Sequence, residues 1–281
     1  MEARSALFDL YGDHLRPRGG RAAIAALVRL LAPLGIAAPA VRTAVSRMVR
    51  QGWLHPARMP TGPGYGLTPK GVRRLDEAAA RIYRTGRREW DGHFDLVVLD
   101  LPAQRGERSR LTANLSFLGY GAIDASTWVS PREADELDTL LEEAGVRHER
   151  FRASHAAGTA GAIALIRRAW DLAELGAAYQ RFVERLTPVV AAAGPATTDE
   201  DAYAARFTLV HAWRAFLFRD PQLPPVLLPD KWPGVSAAAF FDQHATRLRP
   251  AADRFVDRCL ERNQDPRRPE RSFDARKAAL P

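Results

Sequence analysis

Between Ser5 and Leu15 the apolar residues Ala6, Leu7, Leu10, Tyr11 and Leu15 recur close to the 3.6-residue period of a helix buried along one face. The stretch "RPRGG" (Arg16 to Gly20) interrupts that pattern with a proline and two glycines. A second helix is expected from Arg21 to Leu34, with Ile24, Leu27, Val28 and Leu31 inward and Gly35 at its C-terminal cap. The third runs from Pro39 to Gln51, with a proline in its first turn and Gly52 just past its end. Short extended pieces at Trp53–His55 and Tyr65–Leu67 then flank a Pro/Gly-rich tip, the pattern of a two-stranded wing. Thr68 caps a helix from Pro69 to Arg84. Helix, helix, turn, helix, hairpin is the layout of a winged helix-turn-helix.

The pattern changes after residue 90. "FDLVVLDLP" predicts a buried strand, "RSRLTANLSFLG" a helix, "ASTWVSP" a strand, "READELDTLLEEAG" an acidic helix and "VRHERFRAS" a last strand. A further short strand around Ala122 to Ile123 would complete a ferredoxin-like α/β sandwich. From Thr159 onward Ile163, Ile166, Trp170, Leu175, Tyr179, Phe182, Leu186 and Val190 form a helical stripe as far as "AAAGPATT". "TDEDAY" opens a helix carrying Phe207, Leu209, Val210, Trp213 and Phe216. The proline-rich "RDPQLPPVLLPDKWPG" follows, and a final helix from Ser236 to Arg262. The expected class is therefore α+β and multidomain: a winged helix-turn-helix at 1–88, a ferredoxin-like sandwich at 89–157, a helical domain at 158–263 and a disordered tail at 264–281.

Charge sharpens this division. Residues 1–90 carry 16 Lys and Arg against 6 Asp and Glu, whereas the remaining 191 carry 25 against 27, so the net +8 resides in the N-terminal third. A basic module on a near-neutral body is the electrostatic footprint of a polyanion binder, although a merely solvated basic face has the same composition. One cysteine in 281 residues excludes a disulfide framework and zinc sites built on cysteine pairs. No apolar run reaches the length of a membrane span and no signal-peptide pattern opens the sequence, so a cytoplasmic protein without membrane contact is expected.

Within the third helix, "AVRTAVSRMVRQGWL" places Val41, Ala44, Val45, Met48 and Val49 on one face and Arg42, Thr43, Ser46, Arg47 and Arg50 on the other. In a major groove Arg42 and Arg47 would each make bidentate contacts to guanine, and Thr43 and Ser46 would reach phosphate or a base edge. Arg50, Arg58 and Lys70 would meet phosphates from the helix end and the wing, where Tyr65 either stacks on a sugar or packs. Met48 and Trp53 read as core.

Catalytic signatures are absent: there is no G-x-S-x-G, H-E-x-x-H, Walker loop or G-x-G-x-x-G, so a non-enzyme without a cofactor or metal is expected. Asp100 ends a strand where a metal-dependent nuclease keeps a carboxylate, but a second acidic partner is missing and a turn-capping role fits better. His211, Trp213, Arg214 and Arg219 cluster in "LVHAWRAFLFRDP"; beside Phe218 they suggest a pocket for a group both aromatic and anionic, or polar buttressing of the following loop.

Several separated motifs, in order, resemble the PaaX family of bacterial transcriptional repressors. They are "LYGDHLRPRGG", "VRTAVSRMVRQGWL", "YGLTPKG", "STWVSP", the run from Ala169 to Phe182 and "LVHAWRAFLFRDPQLPPVLLPDKWPG", and the resemblance covers roughly residues 5–260. The resemblance implies a homodimeric regulator of aromatic-acid catabolism with a winged-helix head, a Cas2-like middle domain and a helical C-terminal domain. It implies as effector an aryl-CoA thioester such as phenylacetyl-CoA, which releases the repressor from operator DNA. It assigns DNA reading to Arg42, Thr43, Ser46, Arg47 and Arg50 with the wing at Tyr65, and makes the His211 cluster the effector candidate. Where the family often has an acidic residue after the C-terminal histidine, this chain has Ala212, a departure that bears on which inducer it takes. A dimer would present two recognition helices to a palindromic double-stranded operator. The alternatives are a metal-dependent nuclease in the middle domain and a DNA-binding protein without an effector.

Overall fold

A computed structural model describes residues 1–60, 62–82 and 89–261. Contacts gather the chain into two units: residues 1–73 with the described residues from Pro250 onward, and residues 74–249.

In the first unit α1 (Ala3–Leu10) continues through a π turn (Tyr11–Leu15) and a 3-10 turn (Arg16–Arg18). The predicted face, Ala6, Leu7, Leu10, Tyr11 and Leu15, is fully buried. Two left-handed glycines, Gly19 and Gly20, then reverse the chain. The expected helix at Arg21 does not begin there. Arg21–Ala23 is a strand, β1, because the reversal sets it against the open edge of the hairpin, and tertiary pairing overrides alanine's helical preference. α2 (Ile24–Leu31) follows, burying Ala26, Leu27, Leu30 and Leu31, while Ile24 and Val28 are only half-buried. α3 (Ala38–Arg50) ends at left-handed Gly52.

The hairpin β2 (Leu54–Met59) and β3 (Gly62–Leu67) is thus part of a three-stranded antiparallel sheet ordered β1-β3-β2, not a two-stranded one. α4 (Pro69–Ile82) starts as predicted: Thr68 Oγ1 accepts from the Gly71 amide at 3.1 Å and donates to the Gly52 carbonyl at 2.7 Å. The expected continuation to Arg84, and the tail at 264–281, lie outside the described residues.

The second unit contains β4 (Phe94–Leu99), α5 (Arg105–Leu118), β5 (Gly121–Ala122), β6 (Thr127–Ser130), α6 (Leu137–Glu143) and β7 (His148–Ala153). Its sheet is antiparallel with order β5-β6-β4-β7, so the βαββαβ reading holds and the short additional strand exists. One face packs Val97, Leu99 and Trp128 beneath α5 and α6. On that face buried Asp95 accepts from Arg150 Nε at 3.0 Å and Nη2 at 2.9 Å, and from the Tyr120 hydroxyl. Phe94 and Val129 on the other face pack against α7 (Gly158–Ala169) and against Leu223 and Leu227.

The predicted single stripe from Thr159 is two helices. The chain is extended at Trp170, and Asp171 starts α8 (Leu172–Ala192) by accepting from the Glu174 amide at 2.8 Å. α9 (Asp199–Arg214) is capped likewise by Thr198, and α10 (Pro233–Glu261) closes the described chain. Beyond Pro250, α10 belongs to the first unit: Arg18 bonds Asp257 at 2.7 Å and Asp253 at 3.1 Å, and Arg29 donates to the Cys259 carbonyl at 2.6 Å.

Candidate nucleic-acid interface and ligand cavity

The amphipathic split of α3 is realised. Val41, Ala44, Val45 and Met48 are buried, whereas Arg42, Thr43, Ser46, Arg47 and Arg50 are exposed. Those five side chains share one rigid helix whose inner face is locked into the core, so their spacing is fixed before any partner arrives. Arg58 is exposed and pairs across the hairpin with Pro63, next to the tip. Lys70 lies in the first turn of α4 with its ammonium 4.6 Å from the Trp53 ring centre. Trp53, expected as core, is half-buried between that lysine and Phe8. Tyr65 is half-buried too, and its carbonyl accepts from the Tyr11 hydroxyl at 2.9 Å. Burial, with Tyr65 adding to it, pushes the Tyr11 hydroxyl above its ordinary range.

Sequence reading missed Arg21 and His55. Both are exposed and stand either side of Gly66 in the three-stranded register, where a Cβ on Gly66 would come within 3.0 Å of the His55 imidazole. The glycines at 62, 64 and 66 were the available signal, because alternate glycines in a central strand leave one sheet face open to long neighbours.

The C-terminal candidates are not gathered into one place. Trp213 lines a cavity of about 630 Å³, whose walls come from α8 (Tyr179), α9, the segment from Phe216 to Trp232, and the start of α10. Tyr179 stacks on Phe216 at 4.1 Å and meets Trp232 edge-on at 6.2 Å, while Trp213 stacks on Phe241 at 4.8 Å. The Tyr179 hydroxyl donates to Asp220, whose other oxygen accepts from the Gln222 amide at 2.7 Å. Gln222 and Lys231, both on the cavity wall, are the non-glycine residues with left-handed backbone (φ 54°) among those described.

His211, Arg214 and Arg219 are not wall residues of this cavity. Burial lowers the His211 pKa, so its imidazole is neutral at pH 7. Burial also lowers the Arg214 guanidinium to about 10, still charged at pH 7. Arg219 is bonded at 2.9 Å to Glu174, which Arg181 also holds at 2.8 Å, in an exposed ion triad. The Phe218 side chain lies outside the described residues.

Asp100 is exposed and paired with Arg147 at 2.9 Å. Among the described residues no group of three or more His, Cys, Asp or Glu is placed to hold a metal ion, and no helix is long and apolar enough to cross a membrane.

The class thus defined is an α+β protein in which a basic helix-and-hairpin module joins a small antiparallel sandwich and a helical part with an aromatic cavity. Residues 2–71 match the family described as PaaX-like protein, residues 87–163 the PaaX protein central Cas2-like domain, and residues 170–258 the PaaX-like protein C-terminal domain. The chain is 33% identical over 264 residues to the transcriptional repressor PaaX of Escherichia coli strain K12, covering 91% of this chain and 83% of that one. It also shares its fold with the uncharacterized protein Rv0674 from Mycobacterium tuberculosis (TM-score 0.58, 24% identity, 92% of this chain and 98% of that one). The chain belongs to the PaaX-like family.

Proposed function

We propose that this protein is a cytoplasmic, non-enzymatic transcriptional repressor of aromatic-acid catabolism genes that binds palindromic operator DNA as a homodimer. Its N-terminal module acts as a winged helix-turn-helix with α3 as the recognition helix. The observation carrying this reading is the outward row of Arg42, Thr43, Ser46, Arg47 and Arg50 on a helix whose opposite face is core. The printed name of the Escherichia coli relative, a transcriptional repressor, supports it. Arg42 and Arg47 read base edges; Arg50, Arg58 and Lys70 bind phosphate, so affinity falls steeply with salt.

The effector is an aryl-CoA thioester of the phenylacetyl-CoA type, whose aromatic group enters the cavity beside Trp213. For release it must prefer the conformation that does not bind DNA; taking that population from 1:99 to 99:1 needs about 5.5 kcal/mol of differential affinity. The test is a binding titration on DNA from the promoters of the gene itself and its neighbours, with and without phenylacetyl-CoA. A protected palindrome that is lost on adding the thioester is expected. Protection that no aryl-CoA alters would leave a DNA-binding protein without an effector, and uniform binding to all DNA would overturn the operator reading.

A further inference from the structure

Beside the aromatic cavity lies a second hollow, of about 760 Å³, and the two share Pro229 and Trp232 as a common wall. Their chemistry differs. Around the cavity stand the carboxylates of Asp220, Asp230 and Asp242 against one ammonium, Lys231. The hollow instead carries Arg167 and Arg168, exposed in the last turn of α7, against Asp171. The Asp171 carboxylate is already engaged in capping α8. The aromatic end is thus net negative and the open end net positive.

Trp232, between them, is accommodated at a cost in sequence freedom. A Cβ on Gly234 would lie 2.4 Å from Trp232 Nε1 and 3.0 Å from Tyr179 Cε2, and a Cβ on Gly176 would lie 3.4 Å from Trp232 Cζ3. Lys231, the residue before it, holds a left-handed backbone that a side chain disfavours. The missing side chain at Gly234 and one strained residue, Lys231, are what seat this ring between the hollows, while a Cβ at Gly176 would only touch it at ordinary contact distance.

We propose that the cavity and the Arg167–Arg168 hollow are two ends of one ligand site divided by Trp232: the aromatic end takes an uncharged planar group, and the arginine end takes the phosphates of the tail that carries it. The site rests on the effector reading above and adds to it a means of discrimination. A free aryl carboxylate would bring its anion among three carboxylates. A thioester of the same acid is neutral at that end, and its negative charge sits at the far end of the molecule, where guanidinium groups can pair with phosphate.

Calorimetry on the full-length protein separates the parts, with phenylacetyl-CoA, CoA, phenylacetate and the tail-less N-acetylcysteamine thioester of phenylacetate as probes. Replacing Arg167 and Arg168 together by alanine is expected to weaken phenylacetyl-CoA and CoA roughly tenfold and leave the tail-less thioester unchanged, since a charge-assisted guanidinium–phosphate pair is worth about one decade of affinity. Asp230→Asn with Asp242→Asn, both at exposed positions, is expected to tighten phenylacetate about threefold and leave the thioesters unchanged. Gly234→Ala is expected to weaken every aryl probe and spare CoA. If the paired arginine change leaves phenylacetyl-CoA binding intact, the two-ended site is wrong while the effector reading stands. If the unaltered protein binds no thioester, both fall.

Discussion

The outward face of α3 and the cavity beside Trp213 are assembled in opposite ways. On α3 each polar group projects from one helix, and its neighbours in space are its neighbours three and four places along the chain. Around the cavity, Tyr179, the neighbouring pair Trp213 and Phe216, and Trp232 come from three parts of the chain and meet only through tertiary packing. The first surface tolerates substitution because water already covers it. In the second, Tyr179, Trp213 and Phe216 are also core, so at those positions ligand contact and stability cannot be altered separately. The outer face of α3 is thus held on one rigid helix, whereas the cavity is coupled to packing. The segment from Phe216 to Trp232 shows the coupling physically. It forms cavity wall at Gln222, whose carbonyl accepts from Arg132 just past β6, and it packs Leu223 and Leu227 against Phe94 and Val129 of the central sheet.

The largest effect that would sharpen this contrast is on stability. Trp213→Ala removes a ring that is 5% exposed and should cost about 3–5 kcal/mol in chemical denaturation, whereas Arg42→Ala should stay within about 0.5 kcal/mol. Equal losses would mean that α3's outer face is not independent of the fold. Next, Arg47→Ala should cost about 1–3 kcal/mol against the preferred operator and relax selection at one base-pair position, measured by binding to a library of operator variants. A uniform loss over all sequences would demote Arg47 to a phosphate contact.

Smaller is the effect of acid on the unit that carries α3. His14 first, and then Arg18, hold the Asp253 carboxylate well below its ordinary range. Its contribution is therefore present above the unfolded carboxylate pKa of about 3.9 and is lost as pH falls below that value toward the folded one. Asp253→Asn should reduce stability by about 1 kcal/mol at pH 7 and flatten its dependence between about pH 4 and 2, as followed by thermal unfolding. A variant with unchanged acid dependence would show that the clamp contributes nothing. Smallest of all, Lys70→Ala should weaken all DNA sequences alike, reduce the salt slope by about one and cost about 0.5 kcal/mol of stability through its contact with Trp53. Sequence-selective loss would give Lys70 a reading role instead.

Much of this molecule was legible in one dimension. The two faces of α3, the fully buried positions of α1 and the Thr68 cap follow from the 3.6-residue period and from a side chain that satisfies a nearby amide, and β4 from a short apolar run rich in β-branched residues. These are local consequences of helix and strand geometry, so residue order alone determines them. Three features escaped. Arg21–Ala23 has the composition of a helix start and becomes a strand because a distant hairpin edge accepts its hydrogen bonds. His211, Trp213, Arg214 and Arg219 are close in sequence, yet of the four only Trp213 lines the cavity, and Arg219 is held by Glu174. Tyr179 and Trp232, 53 positions apart, were read as stripe and loop and prove to share a wall. Hydrogen-bonding edges and cavity walls depend on which segments meet, and that is settled by packing the whole chain, where no local period records it.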